Sequence, residues 1–179
     1  MAIKIINTRS DFEREPLVRP FGFKGGYMTD IWQTAVLLES PGMRKVGLAT
    51  QNALWSDATL YANQSPAAAE ACMYMMSEYA LKIIRGTCFD SPIQLLEDVL
   101  DKVHNYGIMI SGEPQLRKTF ALNALVAIDN AAWLLYAAEN GMDNFDDMIP
   151  TPFKSALSHR HATIASIPLM AYAVPVEEI

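Results

Sequence analysis

At 179 residues, 51 % of them hydrophobic, the chain is long enough for one domain with a sizeable core and too apolar to be intrinsically disordered. Its net charge of −6, without a basic stripe, excludes nucleic acid as an expected partner, and no apolar run reaches the ~18 residues of a membrane span. Two cysteines, Cys72 and Cys88, and a start without an apolar secretory signal indicate a reducing, cytoplasmic location.

The first third of the chain is predicted to form three antiparallel strands. Residues 2–18 open it with a β-rich run, and residues 30–40 alternate, so that consecutive side chains face opposite sides of a sheet. One face would carry Trp32, Thr34, Val36 and Leu38, and the other Ile31, Gln33, Ala35 and Leu37. The Pro41-Gly42 turn leads into a returning strand over 43–51. Strands in this order indicate a meander whose apolar face needs a cover.

Three helices are predicted to supply that cover. Ser65 and Pro66 begin the first, which ends before Gly86, and Ser91-Pro92 begins a second that we expect to stop at Gly107. Glu70 and Glu78 are expected on the solvated side of the first helix. The third covers residues 114–140, and its apolar composition over 120–138 predicts burial on all sides. Strands followed by helices indicate an α+β domain: a three-stranded antiparallel meander and then a three-helix bundle.

The last stretch of the chain has a different pattern. Irregular sequence leads to "IPLMAYAV", residues 167–174, a continuous apolar run of strand length. Such runs are typical of strands that are buried on both faces, as in parallel sheets. This run is therefore expected to be the first strand of a structure that continues.

The order of these parts resembles the N-terminal capping domain of the enolase superfamily, in its mandelate racemase and muconate-lactonizing branch. "ALNALVAIDNAAWLLYAAENGM" resembles the long helix of that domain, and "KVGLATQNALWSDA" resembles its return strand and second active-site loop. "IPLMAYAV" resembles the first strand of the family's (β/α) barrel. The resemblance implies a capping domain over residues 1–150, followed by a crossover segment and a first barrel strand over 151–179.

In this family, two loops of the capping domain close over the mouth of the barrel and help to select the substrate. The resemblance places them at residues 19–29 and 49–59, and Gly22, Gly25 and Gly26 would let the first loop move. A lysine there could pair with a substrate carboxylate. The substrate-facing candidates are Phe21, Phe23, Lys24, Tyr27, Gln51, Asn52 and Trp55.

The family's chemistry removes a proton next to a carboxylate and stabilises the product with Mg²⁺. Its bases and metal ligands lie on later barrel strands. We therefore expect a cap without its barrel, not catalytic alone, whose longer parent would be a racemase, epimerase, dehydratase or cycloisomerase that holds Mg²⁺ and a small carboxylate substrate. The alternative is a free-standing, non-enzymatic α+β binding or assembly domain whose terminal strand pairs with another chain, and pairing with a second copy would give a homo-oligomer.

Two other patterns resemble metal sites in part. His159 and His161 would share a face in an extended chain, but zinc usually needs three or four ligands, so a solvated turn is favoured. Asp143, Asp146 and Asp147 lack the alternation of a calcium-binding loop and are interpreted as a polar loop after a helix. No metal site is predicted in this chain.

Overall fold

The structure, a computed structural model, describes residues 2–167. Its main sheet has three antiparallel strands in the order β2-β3-β4, and a second sheet pairs β1 with β5. The strands are β1 (Ile3–Lys4), β2 (Asn7–Phe23), β3 (Gly26–Glu39), β4 (Arg44–Gln51) and β5 (Cys88–Phe89). The predicted meander is confirmed, although its first strand begins only at Asn7, because Ile3 and Lys4 pair with Phe89 and Cys88 instead.

The helices follow the meander along the chain. They are α1 (Ala53–Ser56), α2 (Ala58–Asn63), α3 (Pro66–Ile84), α4 (Pro92–Ser111), α5 (Lys118–Asn140) and α6 (Phe145–Met148), with a 3-10 helix at Thr151–Ser158. The three long helices α3, α4 and α5 contact one another, and α5 also packs on β4. The predicted α+β class, a meander followed by a three-helix bundle, is confirmed.

One face of the sheet forms the core with α3 and α5. Trp32, Thr34, Val36 and Leu38 are all buried on it, so the alternation predicted for β3 is confirmed. Helix α5 approaches the sheet so closely at Gly47 that a Cβ there would overlap the Ala127 carbonyl oxygen. Small residues on α5 permit this approach, and the helix backbone therefore lies almost directly on β4.

Two predictions about α4 and α5 were wrong. Helix α4 continues past Gly107 and ends at Ser111, where Gly112 adopts a left-handed conformation with a φ of 68°. Gly107 is buried inside the helix, and a Cβ there would lie 2.5 Å from Met76 Cε and 2.9 Å from Leu116 Cδ2. The glycine thus serves helix packing rather than helix termination.

The second wrong prediction concerns α5, which begins at Lys118 and is not buried on all sides. Leu122, Val126 and Leu134, at intervals of four or eight residues, form an exposed stripe. Within residues 2–167, α5 is the one helix long and apolar enough to cross a membrane by length and composition. Its packing between β4, α3 and α4 accounts for that composition, since the core helix of a globular domain has the same character.

The expected terminal strand over 167–174 lies outside the described residues, apart from Ile167. The last described segment runs from the 3-10 helix to Ile167 and is exposed almost throughout. Arg160 forms an ion pair with Asp146 and so ties this segment to α6. The division of the chain at residue 150 stays a prediction.

Candidate functional site

The first predicted loop is the tip of a long β-hairpin. Phe21 pairs with Met28, Gly22 with Tyr27 and Phe23 with Gly26, so β2 and β3 are paired up to the turn, in a register that differs from that of residues 7–16. The pairing is interrupted between Pro16 and Phe21. The prediction of an open loop over 19–29 was therefore wrong, and this segment presents its side chains from a paired backbone.

The hairpin turn consists of Lys24 and Gly25. Both have positive φ values, 48° and 81°, as in a type I′ turn, whose twist matches that of paired strands. Gly26 has another role, because a Cβ at that position would lie 3.0 Å from Leu54 Cδ1. The glycines that the sequence suggested as hinges thus allow a tight turn at Gly25 and close packing against α1 at Gly26.

The second predicted loop, over 49–59, is also regular structure. It consists of the end of β4, helix α1 and the start of α2. Asn52 caps α1 by accepting a hydrogen bond from the Trp55 amide at 2.9 Å. Asp57 caps α2 by accepting from the amides of Thr59 and Leu60, both at 3.1 Å. The segment is a compact platform of two capped helical turns rather than a flexible loop.

Side chains from α3 and α5 hold this platform in place. Asn123 on α5 accepts a hydrogen bond from the Asn52 amide at 2.8 Å. Thr119 donates to the Ser56 carbonyl at 2.9 Å. Glu70 on α3 accepts from the Ala53 amide at 2.8 Å. Bonds from two long helices therefore fix the backbone that carries Trp55.

Lys24 joins the hairpin tip to the platform. Its Nζ donates to the Trp55 carbonyl oxygen at 2.7 Å. The same ammonium lies 5.6 Å from the ring centroids of both Phe23 and Trp55, within the range of a cation–π interaction. Two segments about 30 residues apart in sequence thus form one surface, which we call the tip surface: Phe21, Phe23, Lys24 and Trp55.

The members of the tip surface differ in exposure. Trp55 retains 49 % of its accessible area, and Lys24 is exposed. Phe21 and Phe23 are half-buried and pack against the core, with ring centroids 6.3 Å apart. Tyr27, the remaining aromatic candidate on the hairpin, alternates with Gly26 and Met28 along β3, so its ring faces the side of the hairpin away from α1.

Gln51 and Asn52, the other two predicted site residues, are placed differently. The Gln51 side chain is buried and its Nε2 donates to Ser77 Oγ on α3 at 3.2 Å. The Asn52 side chain is occupied by the cap of α1. Neither belongs to the tip surface, and both position the platform from below.

A buried carboxyl group, Glu70, lies beneath the platform. It is 5 % exposed, and one of its oxygens, Oε2, has no hydrogen-bond partner. Burial raises the pKa of Glu70 to about 7; the Ala53 amide lowers it, and the Asp30 carboxylate on β3 raises it further. The prediction that Glu70 lies on a solvated helix face was wrong, since α3 turns this residue toward α1.

Tyr61 joins α2 to the hairpin. Its hydroxyl donates to the Tyr27 carbonyl oxygen at 2.9 Å. Burial raises the pKa of Tyr61, and the carboxylates of Glu70 and Asp30 add to that effect, so the phenol stays protonated as a donor. Asp30 itself forms an ion pair with Arg14 at 2.5 Å. The hairpin tip is thus held from α2 as well as from α1.

In the described part of the chain, no group of three metal-ligating side chains comes together. His159 and His161 have ring centroids 4.7 Å apart in an edge-on arrangement. Asn144 caps α6 by accepting from the Asp147 amide at 3.0 Å. These residues do not form the set of oxygen ligands that Mg²⁺ requires.

No family model matches the sequence, and no curated protein matches it. Solved structures do align with the chain. A dipeptide epimerase from Enterococcus faecalis V583, complexed with Mg and the dipeptide L-Leu-L-Tyr, is 16 % identical, with a TM-score of 0.46, over 77 % of this chain and 32 % of that chain.

An L-talarate dehydratase from Polaromonas sp. JS666, complexed with Mg and L-glucarate, is 16 % identical, with a TM-score of 0.47, over 79 % of this chain and 33 % of that chain. A mandelate racemase/muconate lactonizing protein from Herpetosiphon aurantiacus is 13 % identical, with a TM-score of 0.46, over 78 % and 32 % of the two chains.

The matched region corresponds to about a third of the length of each aligned chain.

The sequence interpretation missed three residues that build the platform: Asp57, Glu70 and Asn123. Asp57 could have been found, because an aspartate before "ATLYAN" is a recognisable helix cap. Glu70 and Asn123 carry no such signal, since each lies inside a helix and its partner lies on a distant element. Only the packing of the helices against α1 brings them to the site.

Proposed function

We propose that this chain is the capping and substrate-selecting domain of an enolase-superfamily enzyme, a racemase, epimerase, dehydratase or cycloisomerase that removes the α-proton of a small carboxylate. Residues 1–150 form the cap in this proposal, and residues 151–179 form the crossover and first strand of a (β/α) barrel. The base that takes the proton and the ligands of Mg²⁺ belong to that barrel. This chain supplies no catalytic residue.

The tip surface is the observation that carries the proposal. A cap that selects a substrate needs side chains from separate segments at one end of the domain, on a backbone rigid enough to define a shape. The Lys24 bond to the Trp55 carbonyl joins two such segments, and Asn123 and Glu70 fix the platform below. The exposed Trp55 ring can exclude water from a reaction beneath it.

Mg²⁺ enters the proposal only through the barrel. Among residues 2–167, no three metal-ligating side chains come together, so the proposal assigns no step of the chemistry to this domain. The role of the cap is to position the substrate and to shield it.

We also infer a reducing, cytoplasmic location, because Cys72 is buried, Cys88 is exposed and both are unpaired.

The alternative, a non-enzymatic assembly domain, needs an open strand edge. At the β4 edge of the sheet, the carbonyl oxygens of Leu48 and Thr50 accept hydrogen bonds from Asn130 and Asn123 of α5, at 2.8 and 3.4 Å. These carbonyls already have donors, which disfavours pairing with another chain there. The terminal strand over 167–174, to which the alternative assigns such pairing, lies outside the described residues apart from Ile167, so the alternative stays a second proposal.

The test is to express the complete reading frame that contains this chain and to follow exchange of the α-proton in D₂O. A panel of carboxylates with added Mg²⁺ should contain at least one substrate whose α-position takes up deuterium. Trp55→Ala should change the order of preference among the substrates more than Leu48→Ala, which alters an exposed side chain on the outer face of β4. A reading frame without a barrel-length extension of about 200 residues would contradict the proposal.

A further inference from the structure

The face of the main sheet that points away from α3 and α5 carries an apolar patch. Side chains alternate along a strand, so β3 and β4 send every second residue to this outer side. Val46 and Leu48 of β4 lie there and retain 50 % and 66 % of their accessible area. Ala35 and Leu37 of β3 lie beside them and are half-buried. Contiguous exposed apolar patches mark contacts with other molecules.

Two charged residues of β2 complete this patch, which we call the outer patch: Arg9, Asp11, Ala35, Leu37, Val46 and Leu48. The strand register arranges the six residues in two rows across the sheet. The first row is Arg9, Leu37 and Val46, and the second is Asp11, Ala35 and Leu48. The whole first row borders a hollow of about 260 Å³, and the whole second row borders one of about 440 Å³.

The two rows are complementary to each other. A two-fold axis that lies in the plane of the interface and crosses the strands midway between the rows brings each row onto the other row of a second copy. Arg9 then faces Asp11 of the second copy, and the apolar residues of one row face those of the other. Each contact occurs twice, because such an interface uses the same patch on both copies. We propose that the outer patch joins two copies of this chain in a dimer of this symmetry.

Charge complementarity selects this arrangement. Arg9 and Asp11 are both exposed, and among the described residues neither forms an ion pair. The two-fold axis gives each a partner of opposite charge beside an apolar contact. If the axis ran along the strands instead, β2 of one copy would lie on β4 of the other, and Arg9 would face Val46. That orientation sets a charge against an apolar side chain and is disfavoured.

The rows on either side of the outer patch fit the same axis. Glu39 and Arg44 lie next to the first row, and Gln33 and Thr50 lie next to the second. The axis brings Glu39 to Gln33 of the second copy, and it brings Arg44 to Thr50 of the second copy. Each pair joins a charged group to a neutral polar side chain that can hydrogen-bond to it, so like charges do not meet in these rows.

The size of this face makes the dimer weak and reversible. With a strand spacing of ~4.8 Å and a rise of ~3.4 Å per residue, three strands over four rows measure roughly 14 by 27 Å. Two such faces cover about 800 Å², the range of transient interfaces, and we expect a Kd on the order of 10 μM. Association stops at two copies, because the axis uses both patches completely. The patch lies at the end of the sheet away from the hairpin tip, so the dimer leaves the tip surface open.

Sedimentation of the 179-residue chain measures the association. From about 1 μM to about 300 μM, a range that brackets the expected Kd, the average mass should rise from that of one chain nearly to that of two. Leu48→Ala removes an exposed apolar side chain from both halves of the interface and should weaken the dimer about tenfold. A chain that sediments as one copy at every concentration would overturn the proposal.

A charge exchange tests the orientation of the two copies. Arg9→Asp and Asp11→Arg each place like charges opposite one another, so each should weaken the dimer at least about tenfold. The double variant Arg9→Asp/Asp11→Arg restores opposite charges and should return the Kd to within about threefold of the unaltered chain. Both positions are exposed on the edge strand β2, and circular dichroism checks that the variants fold. A double variant that dimerises no better than the single variants would overturn the proposed pairing.

Matched controls make the same charge changes elsewhere. Lys102→Asp and Glu97→Arg alter exposed residues of α4 and should dimerise like the unaltered chain. An equal loss of association in these controls would overturn the proposal. Association that is as strong in Arg9→Asp and Leu48→Ala as in the unaltered chain would also overturn it, because another surface, such as the expected strand over 167–174, would then join the copies.

Discussion

Glu70 is the residue whose protonation matters most for this domain. Its buried carboxyl group accepts the Ala53 amide through Oε1, while Oε2 has no partner, so the charged form is poorly solvated. The neutral form is favoured, and its pKa of about 7 lies above the ordinary value of 4.5. Between pH 4.5 and about 7, Glu70 is therefore protonated in the folded chain and ionised in the unfolded chain, so folding takes up a proton.

We predict that stability falls as the pH rises from about 4.5 to about 7. The pKa of Glu70 is raised in the folded state, so its contribution to stability is complete at a pH below the unfolded-state pKa. That contribution is lost as the pH rises through the folded-state pKa. The raised pKa corresponds to a loss on the order of 3 kcal/mol in the free energy of unfolding. Glu70→Gln, neutral at every pH, should remove this loss and be the more stable chain at pH 8.

Urea unfolding at pH 5 and pH 8 measures the effect. Glu97→Gln, an exposed position on α4, is the matched control and should follow the unaltered chain at both values. If Glu70→Gln kept the pH dependence of the unaltered chain, a buried proton on Glu70 would not be its source.

At the scale of elements, glycine sets how closely α5 and α4 can approach their neighbours. A Cβ at Gly47 would overlap backbone atoms of Ala127 and Ala131, which cannot move without displacing α5. A Cβ at Gly107 would meet mainly the flexible end of Met76, and alanine also raises helix propensity there. An added Cβ would therefore displace helix backbone at Gly47 but mainly a flexible side chain at Gly107.

We predict that Gly47→Ala lowers the free energy of unfolding by about 3 kcal/mol or prevents folding. Gly107→Ala should cost about 1 kcal/mol, because a methionine side chain can adjust. Gly42→Ala, with nothing within 4 Å of the added Cβ, is the control and should be nearly neutral. Thermal or urea unfolding of the three variants gives the order, and a Gly47→Ala chain as stable as the control would refute the close approach of α5.

Asn130 protects the β4 edge, since its amide donates to the Leu48 carbonyl. Asn130→Ala should leave that carbonyl unpaired beside the exposed Leu48 side chain, and we expect concentration-dependent self-association at a stability cost of about 1 kcal/mol. Light scattering over a range of concentrations measures it. Asn140→Ala, which removes a bond within α5 only, should remain like the unaltered chain.

For the whole molecule, the sequence predicted element types better than their ends. The alternation of residues 30–40 was sufficient to predict β3, and the Ser-Pro pairs were sufficient to predict where α3 and α4 begin. Each of these patterns depends only on residues that are close together in the sequence. Gly107 was misinterpreted as a helix end because the sequence does not distinguish a glycine that stops a helix from one that packs against Met76.

The candidate site was harder to predict than the fold. The resemblance and the glycines of 22–26 indicated a loop over 19–29, yet β2 and β3 pair through this segment. Its proline, Pro20, is accommodated because β2 lies at the sheet edge, where proline is tolerated. The turn Lys24-Gly25 lacks the usual Asn-Gly signature of a hairpin. The platform depends on Asn123 and Glu70, whose roles exist only once α3 and α5 have packed.

The way the platform is built makes position 55 open to evolutionary change. Its backbone is fixed by capping bonds from Asn52 and Asp57 and by bonds from Asn123 and Glu70, none of which involves the Trp55 side chain. A library with every amino acid at this position should therefore consist mostly of folded chains. New ligand preferences can then arise by single substitutions, without a compensating change in the core.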